Sequence, residues 1–149
     1  MRGSIQVQDK PTNGFAFTHA VLQELKRAER YSTFLSCGLL ELGSLADQHQ
    51  VSPEQLIQAV SEHVRHNVRE VDSVTALDNQ RLAFLLPETS RQGAEVAISR
   101  MSDVIRRRVA ELTEKQVDDF IPLKVASFPD SSGTRTIKEF LKEIGTLSS

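Results

Sequence analysis

The chain has one cysteine, Cys37, among its 149 residues, so an internal disulfide framework is excluded as a source of stability. It lacks any apolar stretch near the roughly 20 residues that a membrane-crossing helix needs. Its N-terminus has no apolar core of the kind that marks a secretory leader. It also lacks an excess of one charge. Eighteen basic residues against twenty acidic ones leave a net charge of −2, which supplies no electrostatic reason to expect nucleic acid or an anionic membrane as partner. Internal repeats and low-complexity tracts are absent. The expectation from these absences is a cytoplasmic protein, with Cys37, set in an apolar run, as a buried and inert thiol.

What is present is an ordinary balance for one globular domain, 39% hydrophobic and 26% charged residues, long enough for a real core. The stretch around which the rest is organised runs from Arg69 to Glu88. It reads as the end of a helix, then a short strand in which Val74 and Ala76 alternate with Ser73 and Thr75. Asp78 and Asn79 supply a turn, and the almost wholly apolar run Leu82 to Leu86 is stopped by Pro87. Two such runs around an Asx pair predict a hairpin. Its apolar second strand belongs in the middle of a covered sheet.

Residues 1–13 are polar and read as a flexible lead-in, with a single domain over 14–149. Thr18 is expected to cap a helix to Tyr31 whose stripe is Val21, Leu22, Leu25 and Ala28. Phe34 to Leu42 is the first strand, and Gly43, Ser44 and the polar segment Asp47 to Val51 make a loop. Ser52-Pro53-Glu54-Gln55 opens a helix that buries Leu56, Ile57, Val60, Val64 and Val68. After the hairpin, Thr89 to Gln92 repeats the capping pattern. The helix that follows buries Ala94, Ala97, Ile98, Met101, Val104, Ile105, Val109 and Leu112, with Arg106, Arg107 and Arg108 on a solvated face. Phe120 to Phe128 is a strand with an irregular start at Pro122. Pro129 to Gly133 is a loop, and Thr136 opens a last helix closed by Gly145. Without its first and last helices the order is β-α-β-β-α-β. The expected fold is therefore α+β, a ferredoxin-like sheet covered by helices with an extra N-terminal helix.

From about Phe17 to Leu147 this order resembles the GGDEF domain of diguanylate cyclases, a nucleotidyl-cyclase-like version of the same architecture. The resemblance rests on Arg30-Tyr31 before the first strand, on Leu85-Leu86-Pro87-Glu88-Thr89 after the hairpin, and on Val125-Ala126-Ser127-Phe128-Pro129 in the late strand. Active members join two GTP molecules using metal-binding carboxylates, glycines that let the backbone approach phosphate, and cations. The resemblance implies a degenerate version of that site. The Gly-Gly-Asp/Glu-Glu-Phe signature falls on Asp78-Asn79-Gln80-Arg81-Leu82. Both glycines are gone, and a guanidinium, which repels Mg²⁺, stands at the metal-binding glutamate. The Asp-x-Asp of the first strand falls on Glu41-x-Gly43, and the Phe-Lys that follows on Leu45-Ala46. The guanine-reading loop is shorter, with Pro53 at its Asp position, and the late phosphate-binding Lys and Arg fall near or beyond Leu147. The expectation is no cyclase activity, no metal and no cofactor.

The family's inhibitory site, an Arg-x-x-Asp completed by an arginine on the next helix, falls on Arg69, Asp72 and Arg100. An arginine fork matches guanine O6 and N7, and a carboxylate accepts from the N1 and N2 edge, so cyclic di-GMP is the ligand this set suits. The same residues also have a plain structural reading. Arg69 would sit at a helix C-terminus, Asp72 would cap a turn, and Arg100 would be a surface residue. His63 and His66 lie one helical turn apart without a third metal ligand, and Glu41 with Asp47 falls short of a cation site. Two functions remain open: a cyclic di-GMP receptor, or a domain that binds a protein partner and no nucleotide.

Overall fold

The apolar run Leu82 to Leu86 offers no polar side chain to water, and each of its members is buried to 4% exposure or less. Such a segment needs neighbours on both edges and cover on both faces. The computed structural model describes residues 9–130 and 136–147, and supplies them in the order α1 (Asp9–Tyr31), β1 (Leu35–Glu41), α2 (Gly43–Gln48), α3 (Pro53–Arg65), β2 (Ser73–Ala76), β3 (Arg81–Pro87), α4 (Arg91–Thr113), β4 (Leu123–Phe128) and α5 (Ile137–Glu143). The expected lead-in before residue 9 and the part of the expected loop at residues 131–133 lie outside the described residues.

The strands form one four-stranded sheet in the order β2-β3-β1-β4, and each neighbouring pair is antiparallel. β1 and β3 are the interior strands. Their register sets Leu35 opposite Pro87 and Glu41 opposite Arg81. The alternation of side chains divides the core in two. Leu40, Leu82, Phe84 and Leu86 meet α2, α3 and α4 on one face, while Leu35, Cys37, Leu39, Ala83 and Leu85 meet α1 and α5 on the other. This is the expected α+β arrangement. No helix among the described residues is long and apolar enough to cross a membrane.

Local chemistry sets the helix ends. The Ser52 hydroxyl accepts from Gln55 N with Pro53 at the first helical position, as its sequence predicts. Thr136 and Glu139 complete a reciprocal capping box on α5. Gly145, at φ +81, lets the chain turn left-handed after α5. Its N–H goes to Lys142 O at 3.1 Å and that of Thr146 to Leu141 O at 3.1 Å, a Schellman closure.

Several expectations are corrected. α1 starts at Asp9, so Thr18 is not a cap but an internal residue whose hydroxyl donates to Thr146 O at 3.0 Å. The segment after β1 is not all loop. Leu45 and Ala46 both need cover, and winding Gly43–Gln48 into α2 buries both. α4 is capped by Ser90, whose hydroxyl accepts from Gly93 N, and not by Thr89. Leu112 is exposed, because it lies in the last turn beyond the sheet. Arg106 does more than face solvent: it donates to Asp119 O at 2.9 Å and to Asp103 at 2.6 Å. β4 begins at Leu123, after Pro122, and Phe120 stays exposed. α3 ends at Arg65, so Arg69 lies in the turn beyond the helix.

Cys37 is fully buried, and desolvation pushes its thiol above its ordinary range. The folded protein then keeps a proton that the unfolded chain loses once pH passes the ordinary thiol value of 9.0. A raised folded value therefore stabilises below that pH and loses its contribution above it. The stability advantage of the wild type over Cys37→Ala is expected to shrink by about 1.4 kcal/mol per pH unit above that point. Urea midpoints of both proteins between pH 8 and 10 check this, and a constant difference would contradict it.

Candidate functional site

Two places carry the residues singled out by the sequence, at opposite ends of the interior strands. At one end the hairpin closes through Leu77 N to Arg81 O at 3.0 Å, and Asp78 accepts from Gln80 N at 2.9 Å, the side-chain turn expected of an Asx residue. Gln80 O accepts from Leu42 N at 2.6 Å, which ties the tip to the end of β1. Arg81 faces Glu41 across the β1–β3 ladder, yet its guanidinium turns elsewhere. Nε donates to Asp78 Oδ2 at 2.9 Å and Nη1 to Ile144 O at 2.8 Å. Asn79 is half-buried and Leu82 fully buried in the core.

Beside this tip lies an open hollow of about 330 Å³ lined by Glu41, Gly43, Ser44, Asp47, Gln80, Arg81 and Pro122. The Gln80 amide lies over Gly43, where a Cβ would come within 3.2 Å of its Oε1. The donor set is wrong for a pair of divalent cations. Such a centre needs several hard oxygen ligands per ion, and the hollow offers the carboxylates of Glu41 and Asp47 beside a fixed guanidinium. Among the described residues no group of three His, Cys, Asp or Glu is placed to hold a metal ion. His63 and His66 are exposed on the end of α3.

At the other end the chain leaves α3 and makes a tight turn, Asp72 N to Arg69 O at 3.0 Å. The Asp72 carboxylate closes this turn from inside. Oδ2 accepts from Arg69 N at 2.9 Å and from Arg69 Nε at 3.1 Å, and Oδ1 accepts from Nη2 at 2.8 Å. Nη2 also donates to Pro87 O at 2.8 Å and Thr89 Oγ1 at 2.6 Å. Asp72 is 6% exposed and Arg69 52%: the acid is enclosed while the fork keeps one side in water. The hydrogen bond to Asp72, with further help from the charges of Asp72 and Glu88, outweighs desolvation and raises the guanidinium above its ordinary value. Arg69 Nη1 donates to no described residue.

The structure thus brings Arg69 and Asp72 together but leaves Arg100 apart. Arg100 is exposed on α4, nine residues past the first residue of that helix, a rise of about 14 Å, and it does not line the hollow of about 340 Å³ at the Arg69 turn. Sequence reasoning missed Pro87, Thr89 and Ile144 as partners. Two of them act through backbone carbonyls, which leave no trace in residue type. Thr89 carries a hydroxyl visible in the sequence, but its position before α4 suggests a helix cap rather than a partner of Arg69. Its backbone continues the network inward. Thr89 O accepts from Ser36 Oγ at 2.7 Å, and Ser36 shares a 2.8 Å hydrogen bond with Ser127.

No family model matches the chain, and no curated protein matches it either. Solved structures do. The GGDEF domain of TpbB from Pseudomonas aeruginosa aligns with a TM-score of 0.54 at 19% identity, covering 80% of this chain and 73% of that one. The active GGEEF domain of a diguanylate cyclase from Vibrio cholerae aligns with a TM-score of 0.52 at 16% identity, covering 78% and 75%. The GGDEF domain of DgcB from Caulobacter crescentus, solved in complex with cyclic di-GMP, gives 0.50 at 16% identity, covering 75% and 68%. The chain therefore has a GGDEF-like fold. At these identities the likeness concerns the fold.

Proposed function

We propose that this protein is a non-catalytic GGDEF-like signalling domain. The observation that carries the reading is Arg81. Where a cyclase needs a carboxylate for its metals, a permanent cation is held between Asp78 and Ile144 O. Phosphoryl transfer draws its main stabilisation from metal and cation clamps on the developing charge, and two carboxylates beside a guanidinium cannot supply them. Incubation with GTP and Mg²⁺ or Mn²⁺ is expected to give no cyclic di-GMP. Turnover that scales with protein concentration would overturn the reading.

The ligand we assign to the domain is cyclic di-GMP, bound at the Arg69 turn, and Arg100 meets it only where the ligand extends from that turn along α4. The half-exposed fork of Arg69, already oriented by its buried carboxylate, supports this, since a pre-positioned guanidinium loses little freedom when it meets a guanine or phosphate. The DgcB domain that shares the fold was solved with the same ligand. Among the described residues the Asp72 carboxylate accepts only from Arg69, so a guanine that uses the carboxylate must open that pair, and affinity is expected to be micromolar. Calorimetry with cyclic di-GMP tests the assignment. Absence of heat at high ligand concentration would leave the alternative, a domain that recognises a protein partner and no nucleotide.

A further inference from the structure

We infer that Arg81 is the central member of a conformational latch that fastens the hairpin tip to both α1 and α5. The inference goes beyond the absence of catalysis and does not depend on cyclic di-GMP binding. Three side-chain hydrogen bonds between distant parts of the sequence converge on this end of the sheet. Arg81 Nη1 donates to Ile144 O at 2.8 Å, Thr18 Oγ1 to Thr146 O at 3.0 Å, and Asn13 Nδ2 to Ala76 O at 3.2 Å. They link the hairpin to α5, α5 to α1, and α1 back to the hairpin, so they form a closed circuit.

The accounting at the end of α5 shows why the arginine matters. A helix leaves its last carbonyls without partners inside the helix. The turn at Gly145 satisfies Leu141 O and Lys142 O. Ile144 O falls outside that closure, and a guanidinium supplies its hydrogen bond. A cation there also suits the negative end of the helix. Asp78 holds Arg81 in this pose through Nε, so the arginine is aimed before it reaches the carbonyl. Packing adds a fourth contact: a Cβ placed on Gly14 would lie 3.3 Å from Thr146 Cγ2, so α1 runs close against the segment after α5.

A closed circuit couples its members reciprocally. Displacement of the first turns of α1 reaches the tip through Ala76 and through Thr146 and Ile144, and displacement of the tip returns by the same route. The residue that stands in the signature's metal-binding position therefore has a mechanical role: it joins the helix that opens the domain to the hairpin.

Amide hydrogen exchange on the full chain tests this. Arg81→Ala is expected to speed exchange about tenfold at residues 144–147, the factor that corresponds to one lost charged hydrogen bond, and also to raise it at residues 13–18. Thr18→Val, which leaves the hairpin sequence untouched, is expected to raise exchange at residues 78–82. Arg81→Lys, which keeps the charge but loses the two-armed grip, is expected to fall between, and it serves if the alanine variant does not fold. Effects confined to each mutated element, with no transfer between α1 and the tip, would overturn the proposal.

Discussion

Arg69→Ala is expected to weaken cyclic di-GMP binding about 100-fold, or about 2.8 kcal/mol, and to lower the stability of the free protein by about 2 kcal/mol. Both losses come from one side chain with two duties. Its Nε and Nη2 hold Asp72, Pro87 O and Thr89, and its remaining nitrogen, Nη1, is the one we assign to the proposed ligand. Removing it leaves a carboxylate that is only 6% exposed with a single backbone donor. A charged hydrogen bond contributes about 1.5–3 kcal/mol. Because Arg69 itself is half in water, screening lowers each of its bonds below that range, and the expected loss is the sum over several of them.

Arg100→Ala separates the two duties. Its side chain is exposed, and no described hydrogen bond depends on it. It is expected to lower affinity about tenfold, or about 1.4 kcal/mol, with no measurable change in the urea midpoint. Titration of both variants, beside their unfolding curves, checks the pair of claims. If Arg69→Ala destabilises the protein but binds ligand as the wild type does, the turn is purely structural and the receptor assignment fails. If Arg100→Ala alone leaves affinity unchanged, the ligand sits on the turn without reaching α4.

The strands and helices were legible in the sequence wherever one periodicity dominated. The unbroken run Leu82 to Leu86 between an Asx turn and Pro87 pointed to a covered strand, and Ser52-Pro53 to a helix start, because both signals are local and have few competing explanations. The misread places are those where tertiary contact outweighs local signal. Leu45 and Ala46 pull a polar segment into a helical turn because the core beneath them needs cover. Thr18 and Thr89 look like caps, yet one donates to the segment after α5 and the other receives Arg69. Of the candidate site, the sequence places Arg69 and Asp72 three residues apart as one ligand-binding set, but not as a pair bonded to each other. The sequence did not show that the pair is closed upon itself, since its remaining partners are a backbone carbonyl and a threonine from beyond β3. Arg81 shows the same limit. Its charge was visible and told against metal binding, but the carbonyl it reaches, Ile144 O, lies sixty-three positions away.

Gly38→Ala is expected to destabilise the protein by about 2–3 kcal/mol, and Ile98→Val in the same chain to restore more than half of that loss. Gly38 sits in the middle of β1, opposite Phe84 on β3 and Val125 on β4. Glycine inside a strand ordinarily costs about 0.5–1 kcal/mol relative to alanine, so the substitution should help unless something occupies the space. Something does: a Cβ built there would overlap Ile98 Cδ1 and stand 3.0 Å from Lys124 O. Ile98 is fully buried on α4 and cannot swing into solvent, and the carbonyl belongs to the sheet and cannot yield at all. Overpacking of this kind costs about 1–3 kcal/mol, which exceeds the backbone gain. Trimming Ile98 to valine removes the overlapping methyl, whereas on its own it should cost about 1 kcal/mol, so the two changes compensate only if they meet at one point. Urea unfolding of the two single variants and the double variant, at constant m, measures that coupling. Additive losses would mean that Gly38 does not set the distance between α4 and the sheet. Since Thr89 directly precedes Ser90, the cap of α4, that distance also bears on where the partner of Arg69 stands.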